Sequence, residues 1–336
     1  MPDVVVQKDE LTSLVIKKLT EANVSEEHAS VVAKVLVHAD LRGVSSHGVL
    51  RTEHYVKRMN EGGMNPNPEF KVEDRGKTAA LFDGDNGMGH VITKEAMDKA
   101  IDLAKKNGIG MVGIVNSSHC GALSYFAEQA ARKEVVSMVM TQTDSAVVPF
   151  GGSEPYFGTN PVAYGFPANN RKPIVLDMAT SNAALGKVFH AREMGESIPD
   201  NWGADANGSP VTDPNLVKSL LPVGGPKGYG LGLTVDVLSG ILTGSAFGRN
   251  IATMYGDYNN YRRLGHVILT VDPGLFTAKD EFLFNIDQMI EELHQLEPAE
   301  GFKSVMVPGE PEQLKEEERR INGIPVPESI YEYLTL

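Results

Sequence analysis

Between residues 108 and 113 the chain runs Gly108-Ile109-Gly110-Met111-Val112-Gly113, the spacing of a dinucleotide-binding glycine turn, in a context that excludes the fold this spacing advertises. Such a turn works where a strand enters it and a helix opens inside it, so that a pyrophosphate meets the helix N-terminus. Here a helical pattern over residues 92–106 runs into the glycines, and residues 111–115 continue as an apolar strand. The glycines read as a helix C-cap feeding a strand. A Rossmann domain is not expected.

The flanking patterns set the organisation. Leu11, Leu14, Val15 and Leu19 recur at helical spacing, and Ser25 is placed to cap a helix through Val31, Val32, Val35, Leu36 and Ala39 that stops at Gly43. A third helix is expected from Ser46, carrying His47, Arg51, His54 and Tyr55. The Gly- and Pro-rich residues 61–68 end it and mark a lobe boundary. Strands are expected at 78–82, 110–115, 135–141, 162–166 and 173–178, with a helix at 122–133 and a long surface loop at 198–214. Residues 228–243 read as a glycine-rich buried helix, followed by a strand at 266–271 and helices at 279–296 and 313–321.

Two stretches carry chemistry. Ser45-Ser46-His47-Gly48-Val49-Leu50-Arg51 and Asn116-Ser117-Ser118-His119-Cys120-Gly121 each set an imidazole among small residues at the mouth of an expected helix. Arg51 follows His47 by four positions, which puts both on one helical face. An imidazole exchanges protons near neutral pH, and a guanidinium clamps a carboxylate with two parallel hydrogen bonds. Together they suggest acid–base chemistry on a small carboxylate. A solvated helix with His47 as a mere cap is the plainer alternative, and the second histidine weighs against it.

Three loops are candidates for holding a ligand. The loop from Gly151-Gly152 to Gly158-Thr159-Asn160-Pro161 can bring backbone amides close to one. Asp177-Met178-Ala179-Thr180-Ser181 ends an apolar strand, by itself no more than an N-cap. Lys227, in Gly224-Gly225-Pro226-Lys227-Gly228, sits at a helix start where the macrodipole favours anions, a conflict that a bound phosphate or carboxylate resolves. The GK[ST] ending of a P-loop is missing, so nucleotide hydrolysis is not supported.

Charge and composition close off other classes. With 31 Lys and Arg against 44 Asp and Glu the chain carries −13, which disfavours nucleic acid and anionic membranes. Cys120 is the sole cysteine, so neither an intrachain disulfide nor a cysteine zinc cage can form, and the nine histidines show no HxH, HxxxH or HExxH spacing. No metal site is expected. The first residues, MPDVVVQKDELTS, lack a basic region followed by an apolar one, and a cytoplasmic protein is expected.

With SSHGVLR, SSHCGALSYF, PFGG and GTNP, LDMATS, and PKGYGL followed by DVLSG, the chain resembles the type-2 malate/L-lactate dehydrogenase family over nearly its whole length, as far as the PGEPE stretch at residues 308–312. Within the family, VVPFGG, SIPDNW, LLPVGGPKGYGL and FGRNIATMYGD resemble the subgroup that acts on ureidoglycolate. The resemblance implies NAD-dependent oxidation of (S)-ureidoglycolate to oxalurate in allantoin breakdown, and a homodimer. It also implies an α/β fold with a non-Rossmann nucleotide-binding domain over residues 69–263, built on a mixed, largely antiparallel sheet. A helical domain would be formed by residues 1–68 packing with residues 264–336.

Residue by residue, the resemblance puts His119 at the family's proton acceptor and His47 at the histidine given the proton-transfer role in related diketogulonate reductases. Arg51 stands at the carboxylate-binding arginine, with Tyr55 in the substrate pocket. Thr143, Asp177, Met178, Ala179, Lys227, Gly309, Glu310 and Pro311 stand where the family contacts NAD. Thr143 replaces a possible serine and keeps the hydroxyl. His54 stands where a tyrosine is possible, so the outer pocket is not carried over.

The implied mechanism has Arg51 hold the carboxylate while neutral His119 takes the hydroxyl proton and His47 bonds the substrate oxygen. The residues alone leave the roles of the two histidines exchangeable, and NAD or NADP open. A malate, lactate, sulfolactate, diketogulonate or cyclic imino acid substrate also fits, as does a non-redox binding protein that keeps the fold. At an ordinary imidazole pKa of about 6.5, His119 would make oxidation rise with pH through the neutral range.

Overall fold

The computed structural model describes residues 3–336. It begins with β1 (Asp3–Val6), α1 (Lys8–Glu21) and α2 (Glu26–Leu41). Leu11, Val15 and Leu19 form the buried stripe of α1, as their helical spacing requires. Ser25 caps α2, its hydroxyl accepting the His28 amide at 3.2 Å.

The helix expected from Ser46 is broken. Two 3₁₀ turns, Ser45–His47 and Val49–Arg51, precede α3 (Thr52–Asn60). The break is at Gly48, where the chain presses against α2: a β-carbon there would lie 2.0 Å from an Asp40 carboxylate oxygen. His47 and Arg51 therefore do not share the face of one α-helix. Their proximity comes from the paired turns.

The chain then lays down β2 (Lys71–Asp74), β3 (Ala79–Asp83), α4 (Gly89–Asn107), β4 (Ile109–Ser117), α5 (Ser124–Ala131), β5 (Val136–Thr141), β6 (Val162–Phe166) and β7 (Ile174–Met178). Next come α6 (Leu185–Met194), the short strands β8 (Gly203–Ala204), β9 (Pro210–Val211) and β10 (Ser219–Leu220), and α7 (Pro226–Asp236). The last elements are β11 (Leu264–Val271), α8 (Lys279–His294), α9 (Glu310–Asn322), β12 (Ile324–Pro327) and α10 (Glu328–Thr335).

Seven strands form one sheet in the order β2-β3-β4-β11-β5-β6-β7. Only β3 and β4 run parallel; the other neighbours are antiparallel. This is the mixed, largely antiparallel sheet expected, and the false fingerprint lies within it. Gly108 ends α4 in the left-handed region (φ 87°), its amide bonded to the Ala104 carbonyl at 2.6 Å, and β4 starts at the next residue. Gly110 lets α4 lie close on the sheet, since a β-carbon would come within 2.3 Å of the Ala100 carbonyl oxygen.

Ile92, Met97, Val112, Ile114, Phe126, Val139 and Ile268 build the core between the sheet and α4 and α5. A second core joins Leu11, Leu36 and Tyr55 to Ile324, Val326 and Leu334, with β1 paired antiparallel to β12.

Residues 264–336 do not pack as one part. β11 lies inside the large sheet, bonded to both β4 and β5, so residues 264–271 belong to the α/β layer and a boundary after 263 is corrected. Without β11 those two neighbours would present open edges. α8 packs on the sheet's far side through Ile290 and Ile174, and β12 with α10 joins the N-terminal helices.

Two further expectations change. The loop at 198–214 contributes β8 and β9 to a three-stranded sheet with β10. The helix expected as buried over 228–243 is α7 followed by a π turn, Val237–Ile241, and it is buried on one side only. Val235 and Leu238 pack with Met140, Val162 and Val267, whereas Leu231, Val237, Ile241 and Leu242 are 46%, 39%, 54% and 59% exposed. Among the described residues no helix is long and apolar enough to cross a membrane.

Candidate active site

The two histidine stretches meet where the N-terminal helices lie over the end of β4. His119 follows β4, and its ring stacks on that of His47 with centroids 5.4 Å apart and planes inclined by 26°. Tyr55, wholly buried on α3, places its hydroxyl 2.7 Å from His119 Nδ1. Arg51 donates its Nε–H to the Ser46 carbonyl at 2.7 Å, and a terminal nitrogen meets the Tyr255 hydroxyl. His47, Arg51, Tyr55 and His119 thus form one cluster.

Asp40 holds the turns that carry His47 and Arg51. Its carboxylate accepts the Val49 amide at 2.7 Å inside a buried site, and burial raises its pKa to about 7. Below the cluster, His266 on β11 braces two strands, with Nδ1 2.6 Å from Thr141 Oγ1 and Nε2 2.7 Å from Ser117 Oγ. Arg58 on α3 donates to the carbonyls of Thr253, Met254 and Asn260 at 2.8–2.9 Å. These bonds hold the segment bearing Tyr255 over Arg51. Arg262 is buried and pairs with Asp144.

The electrostatics keep the imidazoles neutral. Burial, then Arg51, lowers the His47 pKa to about 4. Burial, with His47, Arg51, His90 and Arg262 nearby, holds His119 well below an ordinary imidazole. His119 is therefore already unprotonated at neutral pH, so the rise of oxidation expected across the neutral range moves to acid pH. Cys120, beside it, is buried and its thiol is pushed up to about 12, which makes it a bystander rather than a nucleophile.

The residues named for the cofactor are spread along β7 and the loops that meet it. Asp177 accepts the Ser124 amide at 2.7 Å, tying this strand to the helix that follows His119. The Thr143 hydroxyl accepts the Thr159 amide at 3.0 Å, and Thr180, next to Ala179, donates its amide to the Thr159 carbonyl at 2.8 Å. Met178 pairs with Val162 across the sheet. Val223, leading to Lys227, donates to the Thr180 carbonyl at 2.9 Å. The turn before Gly309 meets the same strand, Val175 donating to the Pro308 carbonyl at 3.1 Å. Gly309 is left-handed (φ 88°), and a β-carbon on it would lie 2.6 Å from the Val175 oxygen. Glu310 accepts from the Val307 amide at 3.0 Å and lies 2.9 Å from His294, while Pro311 opens α9.

Several contributors were not singled out from the sequence. His90, Tyr255, Arg262 and Asp144 lie far from the histidine motifs along the chain and reach the cluster only through the sheet order and the long connection before β11. His90 alone had a local hint, an imidazole directly after a glycine turn at a helix start.

A malate/L-lactate dehydrogenase family model matches residues 6–335. The chain belongs to this family. Among its relatives is the ureidoglycolate dehydrogenase (NAD(+)) of Escherichia coli K12, 44% identical over 329 residues, covering 98% of this chain and 94% of the relative. The L-sulfolactate dehydrogenase of Methanocaldococcus jannaschii is 38% identical over 325 residues, covering 96% and 92%. A solved structure of a sulfolactate dehydrogenase from Methanocaldococcus jannaschii superposes with a TM-score of 0.93 at 35% identity, over 98% of this chain and 95% of that one. A malate dehydrogenase from Entamoeba histolytica also gives 0.93, at 29% identity, over 99% and 96%. Family members therefore share this non-Rossmann fold while acting on different small acids.

Proposed function

We propose that this chain is an NAD-dependent dehydrogenase acting on a CH–OH group, with (S)-ureidoglycolate as substrate and oxalurate as product. The observation that carries the chemistry is the stacked His47–His119 pair beside Arg51. The 44% identity to the Escherichia coli ureidoglycolate dehydrogenase supports the substrate.

The residues present fit a dinucleotide. Gly225, at the N-cap of α7, offers no side-chain cap, so the first amides of that helix are free for an anion, and exposed Lys227 adds a cation. A β-carbon at Gly224 would meet nothing within 4 Å, which leaves this approach open. Thr143, Asp177, Met178, Ala179 and the turn Gly309-Glu310-Pro311 would complete the cradle. When bound, NAD supplies the hydride acceptor.

The protein's part is geometry and proton transfer. Arg51 clamps the carboxylate, which fixes the neighbouring hydroxyl-bearing carbon. Neutral His119 takes the hydroxyl proton at Nε2, and His47 hydrogen-bonds the oxygen as its charge develops. Positioned acid–base help of this kind is worth ~10²–10⁴ in rate. Beyond this shared core the rim is polar: the Tyr255 hydroxyl stands over Arg51, and buried His54 Nδ1 has no partner. Such a rim suits a ureido group, with its donors and acceptors, better than the methyl of lactate.

A homodimer belongs to the same reading, because the apolar face of α7 and its π turn is left in water and a second copy would cover it. Light scattering at the mass of one chain would count against it. The substrate test is nicotinamide absorbance with a panel of 2-hydroxy acids and both NAD and NADP. A kcat/KM for (S)-ureidoglycolate with NAD at least ~10-fold above malate, lactate and sulfolactate is expected. Preference for another acid overturns the substrate while leaving the dehydrogenase chemistry standing.

A further inference from the structure

A base that accepts a proton at Nε2 must carry its own proton at Nδ1. His119 does not meet this requirement unaided. The Gly121 amide points at Nδ1 from 3.3 Å, and an N–H there favours the opposite tautomer. A Tyr55 hydroxyl donating to Nδ1 would do the same. The useful tautomer needs the Tyr55 oxygen to accept from Nδ1–H, so the phenolic proton must go elsewhere.

His90 lies where that proton can go. Its Nε2 is 3.4 Å from the Tyr55 oxygen, and the two rings meet edge to face with centroids 5.1 Å apart. Both side chains are wholly buried. Burial, with His47 and His266 nearby, holds His90 neutral, with a pKa lowered to about 3. A neutral ring that accepts at Nε2 carries its proton at Nδ1, and buried His90 Nδ1 has no hydrogen-bond partner. That tautomer leaves an N–H unpaired in the protein interior at a cost in stability, whereas an Nε2–H donating to Tyr55 would leave only a lone pair unpaired.

The backbone is cut to allow this approach. Gly121, left-handed at φ 79°, would put a β-carbon 3.0 Å from both Cδ2 and Nε2 of His90. Gly89, the residue before His90, would put one 2.2 Å from the Ser118 carbonyl oxygen. The start of α4 and the His119 loop are thus pressed together by glycines on both sides.

We infer that His90 is a positioning residue for the reaction: it takes the Tyr55 phenolic proton in a hydrogen bond, leaving the Tyr55 oxygen to accept from His119 Nδ1–H and freeing His119 Nε2 to act as the base. No net proton moves along this chain before substrate binds. When His119 gains the substrate proton, the Tyr55 oxygen still accepts from Nδ1–H, so the arrangement serves the imidazolium as well. This inference rests on the assignment of His119 as the base.

The test compares His90→Leu, His90→Gln and Tyr55→Phe with the parent and with His119→Asn, at saturating NAD across pH, with thermal melting and NAD fluorescence titration to establish folding and cofactor binding. His90→Leu and Tyr55→Phe should lower the kcat plateau by ~10-fold or more with NAD affinity unchanged. In His90→Leu the acid limb should also move to lower pH, because a donating Tyr55 stabilises neutral His119 in the wrong tautomer. His90→Gln, which keeps an acceptor, should recover to within about threefold of the parent. Nitrogen NMR of ¹⁵N-histidine protein should give the Nδ1–H form for His119 in the parent and the Nε2–H form in His90→Leu. An unchanged plateau and limb in His90→Leu, or equal impairment in His90→Gln, overturns the role of His90. Parent-like turnover in His119→Asn overturns the base assignment instead, and the NMR tautomers then judge His90 independently.

Discussion

Arg51 and His119 define the smallest scale at which function is decided. Replacing Arg51 by lysine keeps the charge and loses the planar fork, so kcat/KM should fall by ~1.5–3 kcal/mol of transition-state stabilisation, the range for hydrogen bonds to charged groups. NAD affinity should stay within about twofold. A variant with parent-like kcat/KM would remove Arg51 from the carboxylate. For His119, the sign of the pH effect follows from burial: the unprotonated form is the active one, and burial with His47 and Arg51 nearby holds the pKa well below the ordinary value. Oxidation should therefore be level across neutral pH and fall only on the acid side. His119→Asn should lose ~10²-fold or more in turnover. If His119→Asn keeps the acid limb and its rate while His47→Asn abolishes both, the two histidines exchange roles. The histidine motifs were legible because small neighbours and a nearby arginine leave a local mark. His90 and Arg262 were not, because their partners lie across the fold.

At the scale of elements, the two turns bearing His47 and Arg51 depend on a single carboxylate. Asp40→Ala would strip the partner from the buried Val49 amide, at a cost of ~1–3 kcal/mol, and should raise KM for the acid more than for NAD. Equilibrium urea unfolding measures the first effect; a midpoint unchanged in Asp40→Ala would show that the turns hold themselves. The expectation of one continuous helix there failed because spacing records which residues could share a face. It does not record a glycine forced against α2 by close packing. The glycine fingerprint was legible for the opposite reason, since helix and strand patterns on either side of it are long and unambiguous. That distinction has its own test. Lys227→Ala should weaken NAD binding and make what remains less salt-sensitive, whereas Gly113→Ala, whose β-carbon meets Leu81 and Thr243 side chains at 3.3 and 3.4 Å, should affect packing alone. Loss of NAD binding in a folded Gly113→Ala protein with Lys227→Ala unaffected would return the fingerprint to the cofactor.

Across the whole molecule six of the nine histidines are held uncharged. Burial lowers His38, His54, His90 and His266 to about 3 and His47 to about 4, with His119 also well below its ordinary value. In the unfolded chain each takes up a proton near pH ~6.5. Below that pH the unfolded state binds more protons than the native one, so stability must rise with pH between about 4 and 6.5 and be lost as pH falls. Each group that stays neutral contributes a slope of up to ~1.4 kcal/mol per pH unit. Asp40 acts in the other direction: with its pKa raised to about 7, the native state holds a proton that the unfolded chain releases above ~3.9, and Asp177, Asp236 and Glu95, whose carboxyls burial also raises, act the same way. The six histidines outnumber these four carboxyls. A surplus of even two titrating histidines would remove several of the ~5–15 kcal/mol of a typical margin over two or three pH units. Melting temperature should accordingly be nearly level from pH 8 to 7 and drop as pH falls below 6.5. Unfolding at pH 5.5 should take up several protons, measurable by calorimetry in buffers of different ionisation enthalpy. A melting temperature that stays level from pH 7 to 5, with no proton uptake, would mean these histidines are charged in the native protein, and the neutral base at His119 would fall with them.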